Sequence, residues 1–323
     1  MDHGPEEIAL AVNRLRSGGL VAFPTETVYG LAADAFDPRA VARVFSAKGR
    51  PAHNPLIVHV SGPSMARRVV QNWPEQADRL AASFWPGPLS IVLPAADDLP
   101  RIVTSGGPTV AVRCPDHPLT LALIEAYGSP LVGPSANRSG RVSPTTPQHV
   151  RASFAGDEVF VLDGGPSSVG IESTVLDLSR DPPIILRPGV ITRAEISSVL
   201  GVDVAAGPAA GDNPEIPVRS PGMLDQHYAP RARAQLVTAS GVAALPPGTV
   251  VIGFDTSGEG MAVVMPRDAR GYAAALYRAL RDADAACPPG GRIAVVVPET
   301  GGQDREVWEA VMDRLRRACA DRE

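Results

Sequence analysis

Among the 30 basic side chains of this 323-residue sequence, Lys48 is the only lysine. It stands in Ala47-Lys48-Gly49-Arg50, two positions before an arginine. A compact ammonium beside a planar guanidinium fork is chemistry suited to phosphate oxygens. Neither residue belongs to a phosphate loop of the Gly-Lys-Ser/Thr kind, and the Val-Ala-Ile-Lys context of a kinase lysine is missing. Any Schiff-base lysine would have to be Lys48 itself. A plainer alternative stays open, because the dipole at a helix C-terminus favours two cations in any protein. The bias to Arg comes with 31 Gly and 33 Pro, the pattern of GC-rich coding, so a surviving lysine draws notice without deciding its role.

Three further segments crowd small polar residues where strands end, the usual place for ligands. In FPTETVYGLAADA (23–35), Thr25, Glu26, Thr27 and Tyr29 surround a turn, either to orient a polar ligand or as capping threonines after Pro24. Arg113 ends the apolar strand TVAVR; it either pairs with an internal carboxylate or receives a ligand carboxylate through two N–H groups. In LVGPSANRSGRVSPTTP (131–147), Ser135 and Asn137 alternate after a strand, and Ser143 follows. The Gly-x-Ser-x-Gly pattern of a nucleophile elbow fails at Asn137. Asn54 and His59 lie close to Lys48 and Arg50 in sequence; a lone strand histidine also fits a satisfied core position. Together the segments describe a pocket for an anionic, phosphate-bearing ligand, bound without a P-loop.

The elements that must position these residues are legible from periodicity and punctuation. Helices are predicted at 6–16, 37–47, 63–71, 74–84, 118–127, 147–154 and 192–200. Strands are predicted at 20–23, 55–60, 89–93, 109–113, 130–133, 159–162, 174–178 and 184–187. Many connections are short, so the expected fold is α/β with a twisted mixed sheet and flanking helices. Residues 204–234 read as a linker, and SPGMLDQHYAP (220–230) within it as a segment that docks as a lid. Residues 235–323 read as a smaller Rossmann-like α/β domain, with strands at 235–238, 249–254, 261–265 and 292–297 and helices at 269–286 and 304–320. It lacks Gly-x-Gly-x-x-Gly after a strand, so dinucleotide binding is not expected.

Composition removes other classes. Thirty-five acidic residues give a net charge of −5, against a general nucleic-acid coat. Three scattered cysteines form neither a disulfide framework nor a zinc motif. MDHGPEEIAL has no basic and apolar leader, and no run approaches the length of a membrane span, so a cytoplasmic location without membrane contact is expected.

PTETVYGLAADA, Lys48-Gly49-Arg50 with NPLIVHV, FWPGPLSIVL (84–93), VAVRCP and GPSAN with SG resemble the YrdC-like domain of threonylcarbamoyl-AMP synthases. EST (172–174), LRPG (186–189) and SPGM with HYAP (220–230) extend the resemblance to the longer two-domain form of that family. The motifs cover about 5–230 and are specific in combination; over 235–323 the likeness rests on layout alone.

The resemblance implies an enzyme that joins L-threonine, bicarbonate or CO2, and ATP into threonylcarbamoyl-adenylate with release of pyrophosphate. A transferase complex then passes the group to an adenosine beside the tRNA anticodon. By motif, Lys48 and Arg50 are implied as the catalytic pair that holds the triphosphate. Asn54, Ser135, Asn137, Ser143 and Arg187 are implied around the nucleotide and its Mg2+, Thr109 as a further contact, and Tyr228 as a cover from the linker. Thr27, His59, Arg113 and Ser173 are implied around threonine. No other metal is implied, and direct tRNA binding is not expected. Two other readings share the fold: an RNA-binding module, which the acidic charge and 5% aromatic content disfavour, and a carbamate-adenylating enzyme, which carries a zinc-finger module that this chain lacks.

Overall fold

A computed structural model describes residues 4–154, 156, 158–207, 228–254, 262–298, 300 and 304–320. Most of the expected linker (208–227), including 220–227 of the expected lid, lies outside the described residues, as does residue 261 of one expected strand.

One large sheet dominates. Its strands are β1 (Leu20–Phe23), β2 (Gly30–Asp34), β3 (Ile57–His59), β4 (Leu89–Pro94), β5 (Thr109–Arg113), β6 (Leu131–Val132), β7 (Val159–Val161), β8 (Thr174–Asp177), β9 (Ile184–Arg187) and β10 (Ala205–Ala206). They lie in the order β10-β9-β8-β4-β5-β3-β6-β2-β1-β7. Parallel pairs such as β3 with β5 alternate with antiparallel ones such as β4 with β5, so the sheet is mixed, as expected. Helices α1 (Pro5–Arg16), α2 (Pro38–Lys48), α3 (Pro63–Ala66), α4 (Glu75–Phe84), α5 (Pro118–Tyr127), α6 (Pro147–Ser153) and α7 (Arg193–Leu200) flank it. α3 is much shorter than the predicted 63–71. Strands β2 and β10 were not foreseen: β2 begins at a glycine inside a run of turn-forming polar residues, and β10 has only two residues.

The pleat sorts the central strands by face. Val58, Val110 and Val112 turn to the main core with Val41, Val44 and Leu80 of the outer helices. Ile57, Val92, Ala111 and Val175 form a small apolar strip on the opposite face. His59 and Arg113, opposite each other in the β3–β5 register, share that second face by period.

The second unit carries a four-stranded sheet, β11 (Arg233–Val237), β12 (Val250–Gly253), β13 (Ala262–Val264) and β14 (Arg292–Val296), all parallel in the order β11-β14-β12-β13. The long amphipathic helices α8 (Ala269–Ala286) and α9 (Arg305–Ala318) cover it. Val28, Val142, Ile171 and Val190 of the first unit join its apolar core. Gly170, at φ 77°, lies so close to α8 that an added Cβ would stand 2.5 Å from the backbone of Ala274. The two units therefore share a core.

Candidate functional site

α2 delivers the basic pair. Asp37 accepts from the Arg39 N–H at its N-terminus, Pro38 follows, and Gly49 at φ 61° turns the chain out of the helix. Lys48 is the last helical residue, and Arg50 emerges beyond the turn. Both are buried. The Lys48 ammonium donates to the carbonyls of Ser135 (2.5 Å) and Asn137 (2.6 Å), so it holds the loop after β6. Arg50 donates through Nε to the Asn54 carbonyl (3.0 Å) and through one terminal nitrogen to that of Pro55 (2.8 Å). Among the described residues neither cation has a carboxylate partner. Burial drives the Lys48 amine well below its ordinary value and pulls the Arg50 guanidinium down to about 9, and neighbouring cations push the same way. Buried positive charge without a counter-ion is unfavourable, so the arrangement is one that a bound anion would stabilise.

A pocket opens beside this pair, lined by Thr25, Thr27, Val28, Gly30, Arg50, Ile57, His59, Arg113, Gly133, Pro134, Ser135, Glu172, Arg187 and Tyr228. Seven of the residues singled out in the sequence thus come together on its wall: Thr27, Arg50, His59, Arg113, Ser135, Arg187 and Tyr228. Five others stand one layer behind. Lys48 braces the Ser135 loop from below. The Asn137 amide nitrogen donates to the carbonyls of Arg138 (3.0 Å) and Arg141 (2.7 Å), so it braces its own loop. Ser143 donates to Glu172 (2.7 Å). The Ser173 hydroxyl lies 2.8 Å from that of Ser90 and accepts from Arg187 (3.1 Å). Among the described residues the buried Asn54 amide has no partner for either its nitrogen or its oxygen. Thr109 lies four residues from Arg113 on the same face of β5, at the strand's other end.

The local alternatives left open by the sequence resolve in part. Thr25 does cap its turn, accepting from the Thr27 and Val28 N–H groups (3.1 Å each), while Thr27 lies 2.9 Å from an Arg113 nitrogen and accepts its proton. Arg113 pairs with an internal carboxylate, Glu26, at 2.6 Å. It also donates to Thr27 and to the Gly87 carbonyl (3.2 Å). A guanidinium has five N–H groups, so this use leaves about two for a ligand. Glu172 was not singled out as functional, and Glu26 was named only among the residues around a turn. Both lay inside quoted motifs, and an isolated buried carboxylate has no spacing signature.

Glu172 is the pocket's own carboxylate. Although burial pushes its carboxyl upward, Arg314 and Arg187 overcome this and hold it below the usual carboxylate range. On the other wall, His59 stands edge-on to Phe23 (ring centroids 5.2 Å apart, 74°), with Nδ1 unpartnered. Gly133 leaves room for that ring, since a Cβ there would sit 2.5 Å from His59 Nδ1.

Burial, with Arg113 nearby, lowers the His59 imidazole well below its ordinary value; burial first and Arg281 second lower that of His149 to about 4. Both rings are therefore neutral in the fold near pH 7. In the unfolded chain each takes a proton near pH 6.5, so below that value the unfolded state binds more protons and stability falls with pH. Urea midpoints are expected to decline from pH 6.5 towards 5, and His149→Gln should make that decline shallower. An unchanged slope in the variant would contradict a neutral buried ring.

The chain was compared with known proteins. The Sua5_yciO_yrdC family model, described as "Telomere recombination", matches residues 13–189, and the model of the threonylcarbamoyl-AMP synthase C-terminal domain matches residues 191–320. A Pyrococcus abyssi protein named threonylcarbamoyl-AMP synthase is 47% identical over 231 residues, 72% of this chain and 68% of its own length. A Bacillus subtilis protein of the same name is 48% identical over 228 residues, 70% of this chain and 65% of its own. The one from Schizosaccharomyces pombe is 43% identical over 70% of this chain and 62% of its own. The chain thus spans about two thirds of these relatives. The crystal structure of P. abyssi Sua5 complexed with L-threonine superposes with a TM-score of 0.88 at 39% identity, covering 97% of this chain and 94% of that one.

Proposed function

The chain belongs to the threonylcarbamoyl-AMP synthase family, and from that premise we propose that its pocket joins L-threonine, bicarbonate or CO2, and ATP into threonylcarbamoyl-adenylate, releasing pyrophosphate for a tRNA-modifying sequence. The observation that carries this reading is the buried pair Lys48 and Arg50, without a carboxylate partner among the described residues, beside a wall that holds His59 and Arg113.

In this reading the pocket has two ends. The two N–H groups left on Arg113 take the threonine carboxylate, with Thr27, His59 and Ser173 around the amine and hydroxyl. The neutral amine adds to CO2 with loss of one proton to solvent, or to bicarbonate with loss of water, and gives an N-carboxylate. One of its oxygens attacks the α-phosphorus of ATP, and the bond from that phosphorus to the α,β-bridging oxygen breaks, with the bridging oxygen keeping the electron pair as pyrophosphate leaves. Arg50 faces the departing pyrophosphate, Lys48 supplies positive potential and holds the Ser135 loop, and Arg187 and Tyr228 complete the wall. Rate enhancement then comes from placement and electrostatics, with no covalent enzyme intermediate.

Mg2+ would enter on the triphosphate. Among the described residues no three His, Cys, Asp or Glu side chains gather as a metal cage. The cation would be held mostly by phosphates and water, with the Asn54 amide oxygen, buried and without a partner among the described residues, as a protein oxygen that could serve it once reached. The adenylate would be consumed by a tRNA threonylcarbamoyl transferase complex.

The test is pyrophosphate release from ATP with each substrate omitted in turn. Release that needs both threonine and bicarbonate supports the reading; release without either, or none with all three, overturns it.

A further inference from the structure

We infer that the C-terminal unit is part of the nucleotide end of the pocket, and that Tyr277 and Arg314 are positioning residues that hold the charge of Glu172 away from bound phosphate. The inference rests on the function proposed above for the same site.

The contacts converge on Glu172. Tyr277 in α8 donates its hydroxyl to Oε2 at 2.7 Å. Arg314 in α9 pairs with the same oxygen through Nε at 3.4 Å. Arg314 also donates to the Glu172 carbonyl (3.3 Å) and the Pro188 carbonyl (2.6 Å), so it grips the backbone on both sides of β8 and β9. Ser143 occupies the other carboxylate oxygen, Oε1. Both C-terminal side chains are 0% exposed. Tyr277 serves twice, because its ring also packs on Tyr228 with centroids 5.3 Å apart and planes tilted by 30°. Glu172 and Tyr228 both line the pocket. One side chain of the C-terminal unit thus touches two pocket residues that lie 56 positions apart in the sequence.

The physical need is electrostatic. A pocket built from buried cations gains nothing for a triphosphate from a carboxylate in its wall. Glu172 is tolerated because its two oxygens are already committed to Ser143, Tyr277 and Arg314, and because Arg314 offsets its charge. Without the Tyr277 hydroxyl, Oε2 keeps only the long contact to Arg314, and the carboxylate is free to turn towards Arg50 and Arg187. There it competes with phosphate for the same donors. Threonine, held at the Arg113 end, should feel little of this.

The experiment uses the full chain and compares wild type, Tyr277→Phe, Glu172→Gln and the double variant. Tyr277→Phe keeps the ring on Tyr228 and removes only the donor. Its expected effect is an increase of about tenfold in KM for ATP, with KM for threonine changed less than twofold and the thermal midpoint close to wild type. ATP binding by titration calorimetry should weaken by the same factor. In the double variant Glu172→Gln removes the competing charge, so ATP affinity should return to within about threefold of wild type. A merely structural tyrosine would not be rescued by neutralising a neighbour. Unchanged ATP affinity in Tyr277→Phe overturns the inference, as does a loss that Glu172→Gln fails to repair. Should Tyr277→Phe fold poorly, Arg314→Met paired with Glu172→Gln gives the same comparison. If wild type binds ATP but releases no threonine-dependent pyrophosphate, the proposed reaction fails, while the calorimetric comparison still decides the inference.

Discussion

Replacing Lys48 by alanine is expected to lower threonine- and bicarbonate-dependent pyrophosphate release about a hundredfold or more, the usual cost of removing one preorganised charge from a reacting phosphate. Two effects add. The wall beside the triphosphate loses a cation, and the carbonyls of Ser135 and Asn137 lose the donor that fixes their loop. Buried acceptors left without a partner cost about 1–3 kcal/mol each. Lys48→Arg should rescue poorly, since a planar fork cannot place one nitrogen between two carbonyls 2.5 and 2.6 Å away without displacing the loop. Steady-state rates with saturating threonine are the measurement. A Lys48→Ala enzyme near the wild-type rate would remove Lys48 from the machinery and leave Arg50 and Arg187 to carry the phosphates.

Gly170→Ala is expected to be the most damaging small change outside the pocket. A residue at φ 77° with a side chain is strained by about 1–2 kcal/mol. Its Cβ would also meet the Ala274 backbone at 2.5 Å, and packed backbone yields only at a further cost of about 1–3 kcal/mol. The usual escape, rotation of a flexible neighbouring side chain, is closed because the neighbour is helix backbone. Helix α8 must therefore back away from the first unit, carrying Tyr277 and Arg281 with it. The thermal midpoint should drop by several degrees, and ATP affinity should fall in parallel because Glu172 lies two residues on. A variant with an unchanged midpoint would mean that the two units touch less closely than the contact at Ala274 requires.

How far the sequence reached can be judged from particular residues. Strand β5 and its terminal Arg113 were plain, because TVAVR is a short, valine-rich apolar run that ends at Cys114-Pro115. Helix α2 was plain for the same kind of reason, having an Asp-Pro start and a Gly stop. Strand β2 was missed because its glycine and the threonines before it speak for a turn, whereas its pairing with β1 and β6 is settled by partners far along the chain. Most of the residues gathered in the sequence come together, but not all reach the surface of the pocket: Lys48, Asn54, Asn137, Ser143 and Ser173 stand behind it, and Thr109 lies at the far end of β5. Local spacing identifies a segment that belongs to a site, while the direction of a side chain depends on what packs against it. Arg314 and Tyr277 left no trace at all. They meet Glu172 across 142 and 105 residues, and contact at such separation has no local pattern.

The burial of Lys48 has a use of its own. It is the chain's only lysine and is 2% exposed, with an amine whose proton affinity burial lowers. An acylating reagent therefore finds one ε-amine, and finds it only when α2 parts from the Ser135 loop. The speed at which the peptide containing Lys48 gains an acyl group, read apart from the N-terminal amine, becomes a clock for this opening, a covalent counterpart of amide hydrogen exchange. Slowing of that clock by an added nucleotide would report occupancy without any turnover.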